Sequence, residues 1–265
     1  MVNISLWLGL FASGGVLTWI LAKPGTGRNI FDPHGMLIVF GGLAAAMLIN
    51  TSAAQILGAL RTIVWVMFPV NQPSPAEVTT ELIRLSRRAR AEGGILALRG
   101  EGEGFANGFL KYALETVAAC GETAGSREIL DVAIRRKRIQ RQEDANVLRT
   151  MATLAPMFGL LGTLVGMLQV LNSMSDPTRL GPAMALALSS AFVGIAMANF
   201  IFVPLAGQVR SRALLEMMIY EMIVEGILEI SINRPTFQVE LRLAAYQDLK
   251  VAAAPGPEAV VEATR

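Results

Sequence analysis

Two long stretches without a charged side chain constrain this fold more than any other feature of the sequence. No Asp, Glu, Lys or Arg occurs from Thr150 to Ser175 or from Leu180 to Val209. Each stretch is longer than the roughly 20 apolar residues that a helix needs to cross a bilayer. Only 17% of the chain is charged, whereas about 25% is typical of soluble proteins. The sequence therefore predicts a membrane protein with helical spans.

Two further apolar stretches near the N-terminus bring the predicted spans to four. Val2 to Ala22 carries no charge, and Pro33 to Leu60 contains one ionisable side chain, His34. The first stretch lacks the basic start and the cleavage site of a signal peptide, so we expect a retained helix. We predict an all-α polytopic membrane protein with four transmembrane helices and a mostly helical cytoplasmic domain between helices two and three.

The positions of the basic residues predict the orientation of the spans. Lys and Arg are concentrated between Arg61 and Arg149 and again from Arg210 onward, whereas the other two loops hold few. Because basic residues near span ends mark the cytoplasmic side, we expect both termini in the cytoplasm. A single cysteine, Cys120, excludes an internal disulfide. The small net charge of +2 follows from this asymmetry, so we predict no nucleic-acid partner.

Changes in composition divide the chain into five predicted parts. Residues 1–60 hold spans one and two, 61–149 the cytoplasmic helical domain, and 150–209 spans three and four. A cytoplasmic amphipathic helix is expected over 210–250, where glutamates recur at helical spacing. The segment 251–265 is rich in Ala and Pro and is predicted to be disordered.

One face of the third span has an unusual composition. Pro156, Gly159, Thr163 and Gly166 recur at helical spacing and share this face. Small residues allow close helix packing in lipid, which by itself explains the glycines. Proline frees a backbone carbonyl and threonine adds a hydroxyl, and these are tolerated at membrane depth where protein or a wet cavity satisfies them. Helix packing and the wall of a polar path both remain open.

An absence also bears on function. A proton or cation path normally has a titratable group near mid-membrane, yet the four predicted spans contain no carboxylate. If the protein conducts ions, another chain must supply the acid. The sequence shows no metal-ligand cluster, no nucleophile with a base partner and no phosphate-binding glycine loop, so we predict neither an enzyme nor a bound metal or cofactor.

The segment "LAPMFGLLGTLVGMLQVLNSMSDPTRLGPAMALALSSAFVGIAMANFIFVPLA", with "FDPHGMLIVFGG" and "ARAEGGILAL", closely resembles the MotA/PomA stator subunits of the bacterial flagellar motor. These belong to the wider MotA/TolQ/ExbB proton channel family. Four spans with a large second loop match the MotA branch, and the resemblance covers nearly the whole chain. It implies a multi-pass protein of the bacterial inner membrane.

The resemblance implies particular partners. A homopentamer of such subunits surrounds two copies of a MotB-like partner, which has a single span with an intramembrane aspartate and a periplasmic peptidoglycan-binding domain. Pro156, Gly159, Thr163 and Gly166 would line the inner face against the partner helix, with Thr163 near the ion path and Pro182 at the start of span four. An ion binding the partner's aspartate would let the ring step around it.

The resemblance also addresses which ion is transported. Sodium-driven relatives carry a threonine directly after the position of Ser190, completing a hydroxyl-rich cation site. This sequence has Ala191 there. Sodium needs several oxygen ligands, whereas a proton needs a carboxylate and water, so we expect H⁺ and keep Na⁺ as an alternative because Ser190 offers a hydroxyl.

The expected rotor-facing motif departs from the family pattern. Arg90 matches the arginine that, in the family, meets the FliG-like rotor protein of the flagellar switch complex. Arg99 stands where a glutamate is expected, so Glu101 or Glu103 is the predicted substitute. Alternatives are a solvated charged face, and a TolQ/ExbB-like or other non-flagellar motor. A non-conducting scaffold built on the small-residue faces is the alternative from a different class.

Overall fold

The computed structural model describes residues 4–22, 33–67, 72–121 and 124–252, and these are helical almost throughout. The α-helices are α1 (Ile4–Leu21), α2 (Pro33–Asn50), α3 (Ala53–Met67), α4 (Pro75–Glu92), α5 (Phe109–Cys120), α6 (Ala124–Asn172), α7 (Pro177–Ala196), α8 (Val203–Ser231) and α9 (Thr236–Ala252). Two short 3₁₀ helices, Ile95–Leu98 and Phe105–Gly108, lie between α4 and α5. A π-helical turn, Met197–Phe202, joins α7 to α8. The described part contains no strand, so the all-α prediction is confirmed.

Three helices among the described residues are long and apolar enough to cross a membrane. They are Pro33–Asn50, Gly125–Asn172 and Thr178–Ser231. Helix α1 is also apolar, and its clearest apolar segment, Trp7–Val16, is shorter than a full span. The membrane assignment is therefore supported by three spans, and the count of four stays a prediction.

The chain forms two compact units. The first unit comprises Met1–Pro69 with Gln140–Arg212, and the second comprises Val70–Ile139 with Ala213–Arg265. These bounds differ from the predicted divisions at 149/150 and 209/210, because α6 and α8 each run through the change in composition without a break. The composition of a segment indicates whether water or lipid surrounds it. It does not indicate where the helix ends, because the backbone hydrogen bonds continue through the change.

The first unit contains two buried apolar clusters. One joins α2, α3, α6 and the π-helical turn through Leu43, Met47, Ala59, Val147, Ala155 and Ala198. The other joins α3, α6 and α8 through Val66, Leu148, Leu205 and Val209. In contrast, an outer face of α6 leaves large apolar side chains about half exposed, among them Leu160, Leu161, Leu164 and Leu168. Such a face fits contact with lipid or another chain.

The second unit has a single core of large aliphatic side chains from α4, α5, α6, α8 and α9. Local signals set the bounds of α4. Ser74 and Glu77 form a reciprocal capping box at its start, and Gly93, with φ of 95°, ends it in a left-handed conformation. The rings of Phe109 and Tyr220 stack with centroids 4.2 Å apart, which ties α5 to α8.

The predicted C-terminal helix over 210–250 is two helices in the structure. Asn233 has a φ of 55°, and the chain turns there between α8 and α9. The glutamates that suggested an exposed amphipathic face are partly internal, since Glu216 and Glu229 are buried. Tyr220 donates to Glu216 at 3.0 Å, and Arg234 contacts Glu229 at 3.0 Å. The predicted disorder of 251–265 lies almost wholly outside the described residues.

Candidate functional site

The small-residue faces of α6 and α7 pack against each other within the chain. A methyl group placed on Gly159 would lie 2.9 Å from the Ser190 carbonyl oxygen, and one on Gly194 would lie 2.5 Å from the Ala155 carbonyl oxygen. One on Gly166 would lie 2.7 Å from the backbone nitrogen of Ala187. All three clashes involve backbone atoms, so only glycine allows this helix separation. Helix packing therefore accounts for Gly159 and Gly166 in this chain.

Ser190 also lies inside this helix pair. Its side chain is fully buried and occupies the space that a side chain on Gly162 would need. The hydroxyl donates to the Ala187 carbonyl oxygen at 3.0 Å, one helical turn back. Gly162 and Gly166 form a GxxxG pattern in the sequence, but that pattern does not indicate that a serine hydroxyl packs on Gly162.

The predicted path residues that keep partial exposure are Pro156, Thr163 and Ala191. Pro156 lies inside α6 without breaking it, and its missing N–H leaves a backbone carbonyl without its helical donor. Thr163 donates to the Leu160 carbonyl oxygen at 2.6 Å, which leaves its oxygen able to accept a further hydrogen bond. The Ala191 Cα would lie 3.3 Å from a methyl group on Gly159, so Ala191 belongs to the contact between the two helices.

Pro182 lies inside α7, near the start of that helix. It lines an open polar pocket of about 330 Å³ together with Gln169, Asn172, Thr178 and Arg179. Asp176 caps α7 there by accepting from the Thr178 backbone at 3.1 Å. The pocket places polar side chains at the end of spans that are otherwise apolar.

The π-helical turn between α7 and α8 is a feature that the sequence did not predict. Asn199 lies in this turn, is exposed, and donates to the Ile195 carbonyl oxygen at 3.0 Å. Single π-helical turns recur at functional sites because they shift the register of the following helix. No local sequence signal distinguishes this turn from the α-helix on either side.

The two acidic candidates for the rotor interface are in different environments. Glu101 accepts hydrogen bonds from Arg84, at 2.9 Å, and from Arg88, and its side chain is 26% exposed. The hydrogen bond from Arg84 is the largest effect and lowers the pKa of Glu101; burial, the next largest, raises it, and the charges of Arg88 and Arg84 lower it further. Glu103 is 82% exposed, with one long contact of 3.4 Å to Lys111. Glu103 is therefore the freer carboxylate.

The basic candidates of this surface are exposed. Arg90 donates to the Asn233 carbonyl oxygen at 3.3 Å, a contact that leaves most of its guanidinium available. Arg99 follows a 3₁₀ helix and is exposed. Among the described residues, neither arginine forms an ion pair. The structure thus brings Arg84, Arg88 and Glu101 into one network and leaves Arg90, Arg99 and Glu103 outside it.

A buried polar contact in the first unit was not predicted. The Thr62 hydroxyl donates to Asp144 at 2.6 Å, and both side chains are at least 95% buried. A methyl group on Gly58 would lie 3.1 Å from the Asp144 carboxylate, so this glycine makes room for it. The contact joins residues 82 positions apart, a pairing that only the tertiary fold reveals.

Within the described residues, no group of three or more His, Cys, Asp or Glu could hold a metal ion.

Comparison with known proteins gives a consistent result. The model of the MotA/TolQ/ExbB proton channel family matches residues 102–222. The chain is 26% identical over 250 residues to "Motility protein A" of Treponema pallidum, covering 94% of this chain and 96% of that relative. It is 28% identical over 231 residues to "Chemotaxis protein PomA" of Vibrio alginolyticus, covering 86% and 89%.

The fold agrees with that of two solved structures. The flagellar MotAB stator complex from Bacillus subtilis matches with a TM-score of 0.80 at 23% identity, covering 94% of this chain and 98% of that one. A second match, to C. jejuni MotAB, has a TM-score of 0.81 at 20% identity and covers 92% and 95%. The chain is thus similar to the MotA/TolQ/ExbB proton channel family over residues 102–222, and to proteins named Motility protein A and PomA over most of its length.

Proposed function

We propose that this protein is a stator subunit of the flagellar motor, located in the bacterial inner membrane with both termini in the cytoplasm. Relatives named Motility protein A and PomA align with nearly the whole chain and support this role. The subunit would form part of an ion channel that converts ion motive force into torque, and would act without enzymatic chemistry of its own.

The partner is a single-span MotB-like subunit that carries the channel's acid. The observation that carries this proposal is the contrast between partly exposed Pro156 and Thr163 on α6 and the absence of any carboxylate from the stretches 150–175 and 180–209. A path that offers a hydroxyl and a freed carbonyl needs a titratable group from elsewhere. Five copies of this chain around two partner chains would place these edges toward the partner helices.

The driving force follows from the transported charge. A proton that binds the partner aspartate neutralises it, and its release toward the cytoplasm restores the charge, so the ring can step. Each elementary charge that crosses 100 mV supplies about 2.3 kcal/mol. We propose H⁺ as the ion because Ala191 offers no oxygen ligand next to the buried hydroxyl of Ser190.

The rotor contact in this proposal involves Arg90, Glu103 and Arg99, with Glu101 as their structural neighbour. Glu103 is the exposed acid, whereas Glu101 forms ion pairs with Arg84 and Arg88. The basic Arg99 would favour a FliG-like rotor surface with an added acidic residue. The same residue favours the second candidate function, a non-flagellar motor of this family with a different load.

The deciding experiment is purification of the tagged protein from its native membrane, with mass spectrometry of what accompanies it. We expect a single-span chain with an intramembrane aspartate and a peptidoglycan-binding domain, at about two copies per five of this chain. Recovery without such a partner would overturn the proposal.

In liposomes, the complex should then conduct H⁺, and Thr163→Val should reduce the flux while Thr153→Val, an exposed threonine of the same helix, should leave it unchanged. A flux that requires Na⁺ would refute the choice of H⁺ as the ion and would leave the rest of the proposal standing.

A further inference from the structure

Two arginines from different helices converge on one tryptophan in the first unit. The Arg141 guanidinium of α6 lies over the Trp65 ring of α3, with its carbon 3.8 Å from the ring centroid. The Arg212 guanidinium of α8 lies 6.0 Å from the same centroid and donates to the Trp65 carbonyl oxygen at 3.1 Å. Three helices thus contribute to one basic, aromatic cluster, formed by Trp65, Arg141 and Arg212.

The charge of Arg212 has no counterion in the described part of the chain. Its side chain is half-buried, yet no described carboxylate lies within ion-pair distance of it. A guanidinium has five N–H donors in a planar fork, and the Trp65 carbonyl accepts from one of them. Arg141 donates to the Thr62 hydroxyl at 3.4 Å, and that hydroxyl donates to the Asp144 carboxylate at 2.6 Å. A partly desolvated cation with free donors favours an anionic ligand.

The surroundings of the cluster indicate where that anion comes from. On α3, Leu60 and Val64 are at least half exposed, and Trp65 follows directly. Large exposed aliphatic side chains on a helix of a membrane protein fit contact with acyl chains or with another chain. Arg212 lies three residues beyond the end of the charge-free stretch of span four, and Trp is enriched where acyl chains meet headgroups. Headgroup phosphates therefore lie at the depth of the cluster.

We propose that Arg212, Arg141 and Trp65 form a binding site for the phosphate of an anionic phospholipid. Arginine forks match phosphate oxygens in a bidentate manner, and two guanidiniums near one indole repel each other less when an anion lies between them. The ligand is a lipid and not free phosphate, because the exposed Leu60 and Val64 side chains continue the site toward the acyl chains. The site is independent of the ion path and of the proposed motor function.

The test uses the full-length complex in detergent, with native mass spectrometry of bound lipid during titration with phosphatidylglycerol or phosphatidylcholine. We expect preferential retention of phosphatidylglycerol by the unchanged protein. Arg212→Gln should weaken that binding about tenfold, as expected for loss of a charge-assisted hydrogen bond. Arg210→Gln is the matched control, since Arg210 is exposed and forms no ion pair in the described structure; it should weaken binding less than about twofold.

Several outcomes would overturn the site. Equal loss in the Arg210 and Arg212 variants would indicate diffuse attraction to basic helix ends, and equal retention of phosphatidylcholine would contradict an anionic ligand. Displacement of the lipid by millimolar inorganic phosphate would identify a free-phosphate site instead. If Arg212→Gln does not fold, Arg212→Lys preserves the charge and removes the fork, and unchanged phosphatidylglycerol binding by that variant would refute the bidentate contact. The melting temperature of each variant without added lipid serves as the folding control.

Discussion

The two units of this chain are stabilised by different kinds of contact. In the second unit, large aliphatic side chains such as Leu82, Leu85 and Ile223 are almost completely buried around one core. In the first unit, α6 and α7 meet through glycine, alanine and serine, with backbone atoms in direct contact. Only two of the largest fully buried side chains of the described residues, Met47 and Leu148, belong to the first unit.

The solvent explains this difference. In water, burial of apolar surface stabilises a fold by about 25 cal/mol per Å², so a large internal side chain is favourable. In lipid an aliphatic side chain gains little by turning inward, and helices associate through close van der Waals contact and hydrogen bonds. The same residue, leucine, is therefore internal in the second unit and frequently external on α6.

The largest expected effect comes from a cavity in the second unit. Leu85 is fully buried, so Leu85→Ala should reduce the free energy of unfolding by about 2–5 kcal/mol. Thermal unfolding in detergent and the protein level in membranes measure this loss. Leu96→Ala, at a leucine that is 60% exposed, is the control and should change little. Equal effects would contradict a core built on large side chains.

Overpacking of the glycine contact should have the next largest effect, because the first unit depends on backbone approach. Gly194→Ala would put a methyl group 2.5 Å from the Ala155 carbonyl oxygen, and we expect a loss of about 1–3 kcal/mol with lower motility. Gly181→Ala, in the same helix, has nothing within 4 Å and should be neutral. Tolerance of alanine at Gly194 would show that the helices can separate without cost.

The buried polar contact of the first unit should contribute somewhat less. Thr62→Val preserves shape but leaves Asp144 without its donor, so we expect a loss of about 1–2 kcal/mol. The melting temperature of this variant should fall, whereas that of Thr153→Val should not, because the Thr153 hydroxyl is exposed. A neutral Thr62→Val would mean that the carboxylate is satisfied in another way.

The smallest expected effect concerns the surface network of the second unit. Because the pKa of Glu101 is lowered in the folded protein, its stabilisation is present above the ordinary glutamate pKa and is lost as the pH falls through the folded-state pKa. Glu101→Gln should slightly lower the melting temperature at pH 7, and this difference should shrink as the pH falls below the ordinary glutamate pKa of about 4.3. Glu103→Gln, at a side chain that is 82% exposed, should lower the melting temperature at pH 7 less, and an equal loss there would contradict the assignment of the two acids.

Helix continuity shows where prediction from sequence was limited. The apolar stretch beginning at Thr150 suggested a new element, but α6 passes through that point and through Pro156 without interruption. A change from charged to apolar residues reports a change of solvent, not the end of a helix. The break at Asn233 was missed for the opposite reason, since the helical pattern continues across a residue with positive φ.

The candidate site was predictable in composition but not in contacts. Spacing alone placed Pro156, Gly159 and Thr163 on one face of a helix, and that face exists. The sequence did not reveal that Gly159 packs on α7 of its own chain, nor that Ser190 is buried against Gly162. Contacts between helices depend on their separation and rotation, which no local pattern contains.

What the sequence determined by itself is the class of protein. Its apolar spans and helical content follow from composition and periodicity, because these reflect the solvent and local geometry of each residue, and its quoted motifs carry the resemblance to the MotA/PomA subunits. The tertiary structure alone decided which polar groups meet. The Thr62 contact with Asp144 and the convergence of Arg141 and Arg212 on Trp65 join distant segments. Such contacts form only when whole helices pack against each other. Their energy therefore depends on many residues together and not on any local pattern.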